Sequence, residues 1–309
     1  MNFGWRLIGG LLLCMLLHAP LSCWAENLKV WVVLSDNSAP YQSFAYALNK
    51  SLPASIQIAV LEHPEQLSQD VPQADLIVAV GTKATELAST QTSIPLLAVM
   101  IPRAGFEELL ARVFPNKTTR STSVIYLDQP WARRINFLRA ALPDRRRIGL
   151  LHSPDTHFDV ARLRQVVVQR GGLLVAQPVN SAEELFPKLE SLLTNSDVLF
   201  AIPDNMIYSS STIRNILLAS YRHGIPLFGL SLAYVNAGAL GAIFSTPEQL
   251  AAQARSAVIS FARNGQLPEP QFPADFTIAV NQQVAHSLEI ALPSPDAIRN
   301  QMDKAKEEP

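Results

Sequence analysis

Short apolar runs rich in Val, Ile and Leu alternate along the chain with amphipathic stretches of helical length. Strands covered on both faces by crossover helices read as continuous apolar runs of this kind. The runs at residues 28–34, 55–61, 75–80, 95–100, 122–127, 147–152, 173–178, 197–202, 225–229 and 240–244 predict strands. Between them, residues 39–50, 82–89, 104–113, 130–141, 157–170, 181–194, 210–223 and 247–264 predict helices. Strand following helix following strand requires crossover connections, so the expected class is α/β with parallel sheets. The run Tyr126-Leu127-Asp128-Gln129-Pro130 interrupts the series at its midpoint, and similar five-strand series flank it. Two lobes therefore fit better than one wide sheet.

A proline-rich stretch, Leu267-Pro268-Glu269-Pro270-Gln271-Phe272-Pro273, precedes a last strand-helix pair at 276–288 and suits a chain that recrosses between lobes. The expected division is residues 26–127 plus 247–270 in the first lobe and 128–246 plus 271–300 in the second. Residues 301–309 are charged and poor in apolar side chains, which predicts a disordered tail.

The first 25 residues change the picture of where the protein works. Arg6, an apolar stretch from Leu7 to Leu17 and the small-residue site Cys23-Trp24-Ala25 form the pattern of a signal peptide cleaved after Ala25. The apolar run is shorter than the ~20 residues that span a bilayer. A periplasmic location is expected. Both cysteines, Cys14 and Cys23, fall inside this leader, so no disulfide or thiolate site is expected in the mature chain. With 48% hydrophobic residues and a net charge of −1, the chain can build a large core and lacks the basic stripe of a nucleic-acid partner. The histidines lack paired ligand spacing, and no phosphate loop or glycine-rich dinucleotide turn is present, so neither metal nor cofactor is expected.

In parallel α/β sheets, ligands collect beyond the carboxyl ends of strands. The post-strand loops supply Ser38 and Tyr41 after the first strand, and Gly81 and Thr82 after the third. In the second series they supply Asp204 and Asn205 after residues 197–202, and Ser231 after residues 225–229. Backbone N–H groups at Gly81-Thr82 suit a carboxylate, and Asp204 suits an amine. Capping and turn formation account for the same residues equally simply. Tyr41, Tyr208 and Tyr234 offer aromatic faces, whereas Phe228 reads as core. A hydrolase reading rests on Gly229-Leu230-Ser231-Leu232-Ala233 with Asp275 and His286 downstream, but Ala233 replaces the second glycine of the nucleophile elbow.

Several segments carry a family resemblance: Val78-Ala79-Val80-Gly81-Thr82 with Ala84 and Leu87, Ile94-Pro95-Leu96, Pro203-Asp204-Asn205, and Ile225-Pro226-Leu227-Phe228-Gly229. Tyr234-Val235-Asn236-Ala237-Gly238-Ala239-Leu240 and Ala279-Val280-Asn281-Gln282-Gln283-Val284-Ala285 extend it. Through these the chain resembles the ABC-transporter substrate-binding proteins that include tryptophan-binding receptors. The resemblance implies two Rossmann-like lobes joined by a multi-strand hinge, the type I periplasmic-binding-protein fold. It further implies a monomeric, non-enzymatic receptor that captures a small organic solute, such as an amino acid or related compound, and presents it to an ABC permease. Met100-Ile101-Pro102-Arg103 departs from the family pattern after the fourth strand. A ligand-sensing or partner-binding envelope protein feeding a membrane sensor stays open as an alternative.

Overall fold

The computed structural model describes residues 28–68, 74–113, 121–154 and 159–307. The expected signal peptide lies outside them. The first lobe is built on strands β1 (Leu28–Leu34), β2 (Ile56–Leu61), β3 (Leu76–Val80), β4 (Leu96–Ile101) and β5 (Thr122–Tyr126). They form one parallel sheet in the order β2-β1-β3-β4-β5. Helices α1 (Ala39–Ser51), α2 (Thr82–Gln91) and α3 (Arg103–Val113) connect them.

The second lobe repeats this plan with β6 (Arg147–His152), β7 (Leu173–Pro178), β8 (Val198–Phe200), β9 (Leu227–Gly229), β10 (Gly241–Phe244) and β11 (Thr277–Val280). Their order is β11-β10-β9-β8-β6-β7, so β6 to β10 repeat the winding of β1 to β5. The added β11 runs antiparallel to β10 and shields that edge of the sheet. The helices of this half are α4 (Trp131–Ala141), α5 (Val160–Gln169), α6 (Leu185–Thr194), α7 (Ile213–Arg222) and α8 (Leu232–Ala237). The chain then enters α9 (Pro247–Asn264) and ends in α10 (Gln282–Ser287) and α11 (Pro295–Glu307).

Side-chain alternation explains why the strands read as unbroken apolar runs. Val30, Val32 and Leu34 of β1, with Leu76, Val78 and Val80 of β3, pack into one cluster. Val33, Ile77 and Ala79 face the opposite way, against Ala84 and Ala88 of α2. Both faces are buried, so no polar phase appears along the strand. Although α9 follows the last parallel strand of the second lobe, its apolar stripe of Leu250, Ala251, Ala254, Ala257, Val258 and Phe261 joins the first-lobe core. Its start is fixed by a capping box. The Thr246 side chain accepts from the Gln249 N–H, the Gln249 side chain accepts from the Thr246 N–H, and Pro247 stands at the first helical position.

Three segments cross between the lobes. Tyr126–Pro130 leads from β5 to α4, Phe244–Pro247 leads from β10 to α9, and the proline-rich stretch returns toward β11. The last is pinned to β5, because the Gln271 N–H donates to the Val124 carbonyl at 2.8 Å and the Tyr126 N–H to the Gln271 carbonyl at 2.9 Å. Side chains tie the crossings to one another. Gln129 Nε2 donates to Ser245 Oγ at 2.8 Å, and Ser245 Oγ donates to the Asp275 carbonyl at 2.6 Å. Arg133 Nη1 bridges Gln129 Oε1 and the Pro273 carbonyl at 2.7 and 2.8 Å. Gln129 is buried, so Gln129→Ala leaves this network partly unmade. The expected cost is about 1–2 kcal/mol, read as a lower urea midpoint with an unchanged slope.

One expectation needs correction. Of the expected disordered tail, residues 301–307 are instead the end of helix α11, because Ile298 and Met302 are only 0% and 1% exposed in the second-lobe core, and residues 308–309 lie outside the described residues. Two apolar side chains four residues apart are enough to hold the helix down while its other faces remain charged. No helix among the described residues is long and apolar enough to cross a membrane.

Candidate ligand site

The carboxyl ends of both sheets open onto a cavity of about 700 Å³ between the lobes. From the first lobe it is lined by Ser38, Pro40 and Tyr41, which follow β1, and by Met100 at the end of β4. The crossings contribute Leu127, Asp128, Gln129 and the segment Ile243–Glu248, while the second lobe adds Arg134, Pro203 and Leu230–Ala233. Pro40, Met100, Leu127, Leu230, Leu232, Ala233, Ile243, Phe244 and Pro247 make most of this wall apolar. The volume lies within the range of pockets that enclose small organic molecules.

Most polar wall groups are already engaged. Gln129 and Ser245 bond one another, and Thr246 caps α9. Ser38 lies beside Asp36, whose carboxylate accepts the Ser38 N–H at 2.8 Å. Hydrogen bonds from Ser38 hold the Asp36 carboxyl below the usual range. Burial pushes the Tyr41 phenol upward, so it stays a neutral O–H donor at physiological pH.

Met100 carries a φ of 59°, where an L side chain is strained, at a point where the β4–β5 register shifts between Val99 and Ile101. This irregularity coincides with the Met100–Arg103 segment that departs from the family pattern. It brings a flexible thioether side chain to the cavity.

The floor carries two charges. Asp128 follows β5, and its Oδ2 accepts the Arg103 N–H at 2.5 Å. Desolvation pushes its carboxyl above the usual range, opposed by that hydrogen bond and by the nearby Arg134. Arg134, on the first turn of α4, is 5% exposed and lies over Phe200 and Trp131 at 4.1 and 5.0 Å from their ring centres. Its Nη2 donates to the Ala201 carbonyl at 2.5 Å. Desolvation lowers the guanidinium to about 10, which leaves it charged at neutral pH.

Of the residues expected from sequence, Ser38, Tyr41 and Ser231 line the cavity. Gly81 and Thr82 do not line it. With φ 88° and ψ 177°, Gly81 occupies a conformation almost restricted to glycine. A Cβ there would lie 2.5 Å from the Tyr41 hydroxyl and 2.6 Å from Ser35 Oγ, so the missing side chain makes room for Tyr41. Thr82 is exposed at the start of α2.

Asp204, expected to face the cleft, is instead turned inward at 4% exposure. Its Oδ2 accepts the Ser153 N–H at 2.7 Å, and its Oδ1 accepts the Met206 and Ile207 N–H groups at 3.1 and 3.2 Å. A carboxylate with this many internal donors closes a turn rather than awaiting an amine. Asn205 is exposed, and its neighbour Pro203 is the residue of that segment that reaches the cavity.

Tyr208 is buried and Tyr234 packs against Gly229, so neither presents a face to the cavity. Phe228 is core, as its apolar context indicated. No hydrogen bond joins Ser231, Asp275 and His286 among the described residues, and the Asp275 carboxylate accepts from Gln249 Nε2 and from the Phe276 N–H. Those three side chains do not form a nucleophile relay.

Reading the post-strand loops missed Met100, Asp128, Arg134 and the Ile243–Glu248 crossing. Arg134 had a visible signal: it stands in the apolar helix stripe formed by Trp131, Ile135 and Leu138. No group of three or more His, Cys, Asp or Glu side chains that could hold a metal ion occurs among the described residues.

Two similarly wound α/β lobes, three crossings and a cavity at the carboxyl ends of both sheets define a type I periplasmic binding protein. The chain belongs to the family of ABC transporter substrate binding proteins, whose model matches residues 55–304. It is a solute-binding protein of that family.

Solved structures of similar fold include an ABC domain from Streptococcus pneumonia in complex with L-Trp. That protein shares 15% identity, with 89% of this chain and 98% of that one covered and a TM-score of 0.61. A conserved domain protein from Vibrio cholerae shares 18%, with 89% and 98% covered and a TM-score of 0.60. The ligand-free, open structure of a substrate binding protein with adhesive properties from Clostridium difficile shares 18%, with 87% and 97% covered and a TM-score of 0.67. No curated protein sequence matches the chain.

Proposed function

We propose that the protein is a periplasmic receptor that closes its lobes around a small, largely apolar organic solute and delivers it to an ABC permease without chemically changing it. The observation that carries this reading is the interlobe cavity of about 700 Å³, walled mainly by apolar side chains from both lobes and the crossings. An apolar wall favours a ligand with hydrophobic surface to bury, at about 25 cal/mol per Å². It offers a sugar few of the acceptors that its hydroxyls need.

The L-Trp complex of the Streptococcus pneumonia protein, on the same fold, supports including amino acids among the candidate solutes. Closure about the crossings brings Ser38 and Tyr41 toward Ser231 and removes the solute from water. The Leu7–Leu17 run and the Cys23-Trp24-Ala25 site support export.

A thermal-shift screen of the mature protein against amino acids, aromatic and aliphatic acids, sugars, nucleosides and short peptides tests this. A cognate solute at a hundredfold its dissociation constant adds about 2.7 kcal/mol, which raises the melting temperature by several degrees. The expected hits are apolar organic solutes. Shifts confined to sugars would refute the apolar-solute reading, and a flat screen with no co-purified ligand in mass spectra would refute solute capture.

A further inference from the structure

We infer that Arg134 is the specificity-determining group of this cavity and that the solute carries a carboxylate which it holds, an inference that rests on the cavity being the solute site. Arg134 is buried against Phe200 and Trp131, and one of its nitrogens is anchored on the Ala201 carbonyl. Its remaining N–H groups have no protein acceptor among the described residues, and the residue lines the cavity wall. No carboxylate lies within 4.0 Å of the guanidinium among the described residues, although Asp128 is close enough to act on it through space. Packing on two rings therefore fixes a desolvated cation in place while leaving its donors unused. A cation buried without a contact counter-ion is costly, and an incoming anion relieves that cost.

The other wall groups without a hydrogen-bond partner among the described residues are the Tyr41 and Ser231 hydroxyls, which can turn to donate, and the Glu248 carboxylate, which is exposed in the first turn of α9. Gln129, Ser245 and Thr246 are satisfied internally. The buried guanidinium is donor-only and the hydroxyls can turn to donate, so together they suit an acceptor-only group. A carboxylate is such a group, and its planar pair of oxygens matches the guanidinium fork. The apolar wall then takes the rest of the solute. A simple hydrophobic acid and an apolar amino acid share this chemistry, and they differ in whether an ammonium is also needed beside Asp128.

The test is calorimetric titration of the wild-type protein with matched acid and amide pairs: 3-phenylpropanoate and 3-phenylpropanamide, 4-methylpentanoate and 4-methylpentanamide, phenylalanine and phenylalaninamide. The expected result is that the acid of at least one pair binds roughly tenfold or more tighter than its amide. Arg134→Gln should collapse that ratio, and Arg134→Lys should restore part of it. Binding in the pairs without an amine identifies a simple acid, and binding confined to phenylalanine identifies an amino acid. Both outcomes support the assignment.

Equal affinity for acid and amide in the wild type overturns it, whether or not the variants fold. So does a folded Arg134→Gln protein that keeps the ratio. Silence of all six probes, while the thermal screen identifies an uncharged solute, removes the carboxylate and leaves solute capture standing. Silence in both experiments removes both.

Discussion

Asp204→Ala is expected to lower the unfolding free energy by about 3 kcal/mol, corresponding to roughly 6–12 °C in melting temperature. The Asp204 carboxylate sits between the loop after β6 and the loop after β8, and it accepts three backbone N–H groups, including that of buried Ser153. Removing it takes the carboxylate acceptor away from the Ser153 N–H at a buried position. Hydrogen bonds to a charged group contribute about 1.5–3 kcal/mol each, and part of the loss is recovered by local relaxation. Asp204→Asn keeps one carbonyl acceptor and should cost less. Urea unfolding of both variants measures the difference. If Asp204 were a ligand contact, the alanine variant would keep its stability and lose affinity, the reverse of this expectation.

Truncation before Pro295 is the second large effect. Removing α11 takes away Ile298 and Met302, both buried in the second-lobe core, and each such side chain contributes about 1.5–3 kcal/mol. It also removes Arg299, whose guanidinium lies 4.2 Å from the ring centre of Phe276 and donates to the Phe276 carbonyl at 2.5 Å. The combined loss is about 5 kcal/mol, a large share of the 5–15 kcal/mol that stabilises a typical domain. The truncated protein should melt at least ~10 °C lower, or accumulate in inclusion bodies. Truncation after residue 307 should change neither quantity. Equal melting temperatures for the two truncations would return α11 to the status of a loose tail.

The contrast between these two sites and the strands is instructive about what a sequence displays. Val32 and Val33 in β1 announce burial because Trp31 and Leu34 beside them are apolar too, and only a strand covered on both faces needs that pattern. For the same reason the ten parallel strands and eight of the helices between and after them could be read in order, and the interruption at Leu127-Asp128-Gln129 marked the first crossing. In α11 the signal was two apolar residues among charges, too sparse to separate a docked helix from a polar tail. The short α8 was likewise missed, because six residues are under two helical turns and too few to display a 3.6-residue period.

Polar residues behave differently, since a side chain such as Asp204 reads alike whether it faces a ligand or a ring of backbone N–H groups. The sequence by itself determined the α/β winding, the division into two lobes, and the loops among which a site would be found. It could do so because hydrophobic periodicity records which faces of each element are buried. Only the tertiary structure decided that Asp204 closes a turn, that Gly81 makes room for Tyr41, and that Arg134 holds unused donors against the cleft. Those roles depend on the distance and direction between groups far apart in the chain. Arg134 and Ala201 are 67 residues apart, and no local pattern records that they meet.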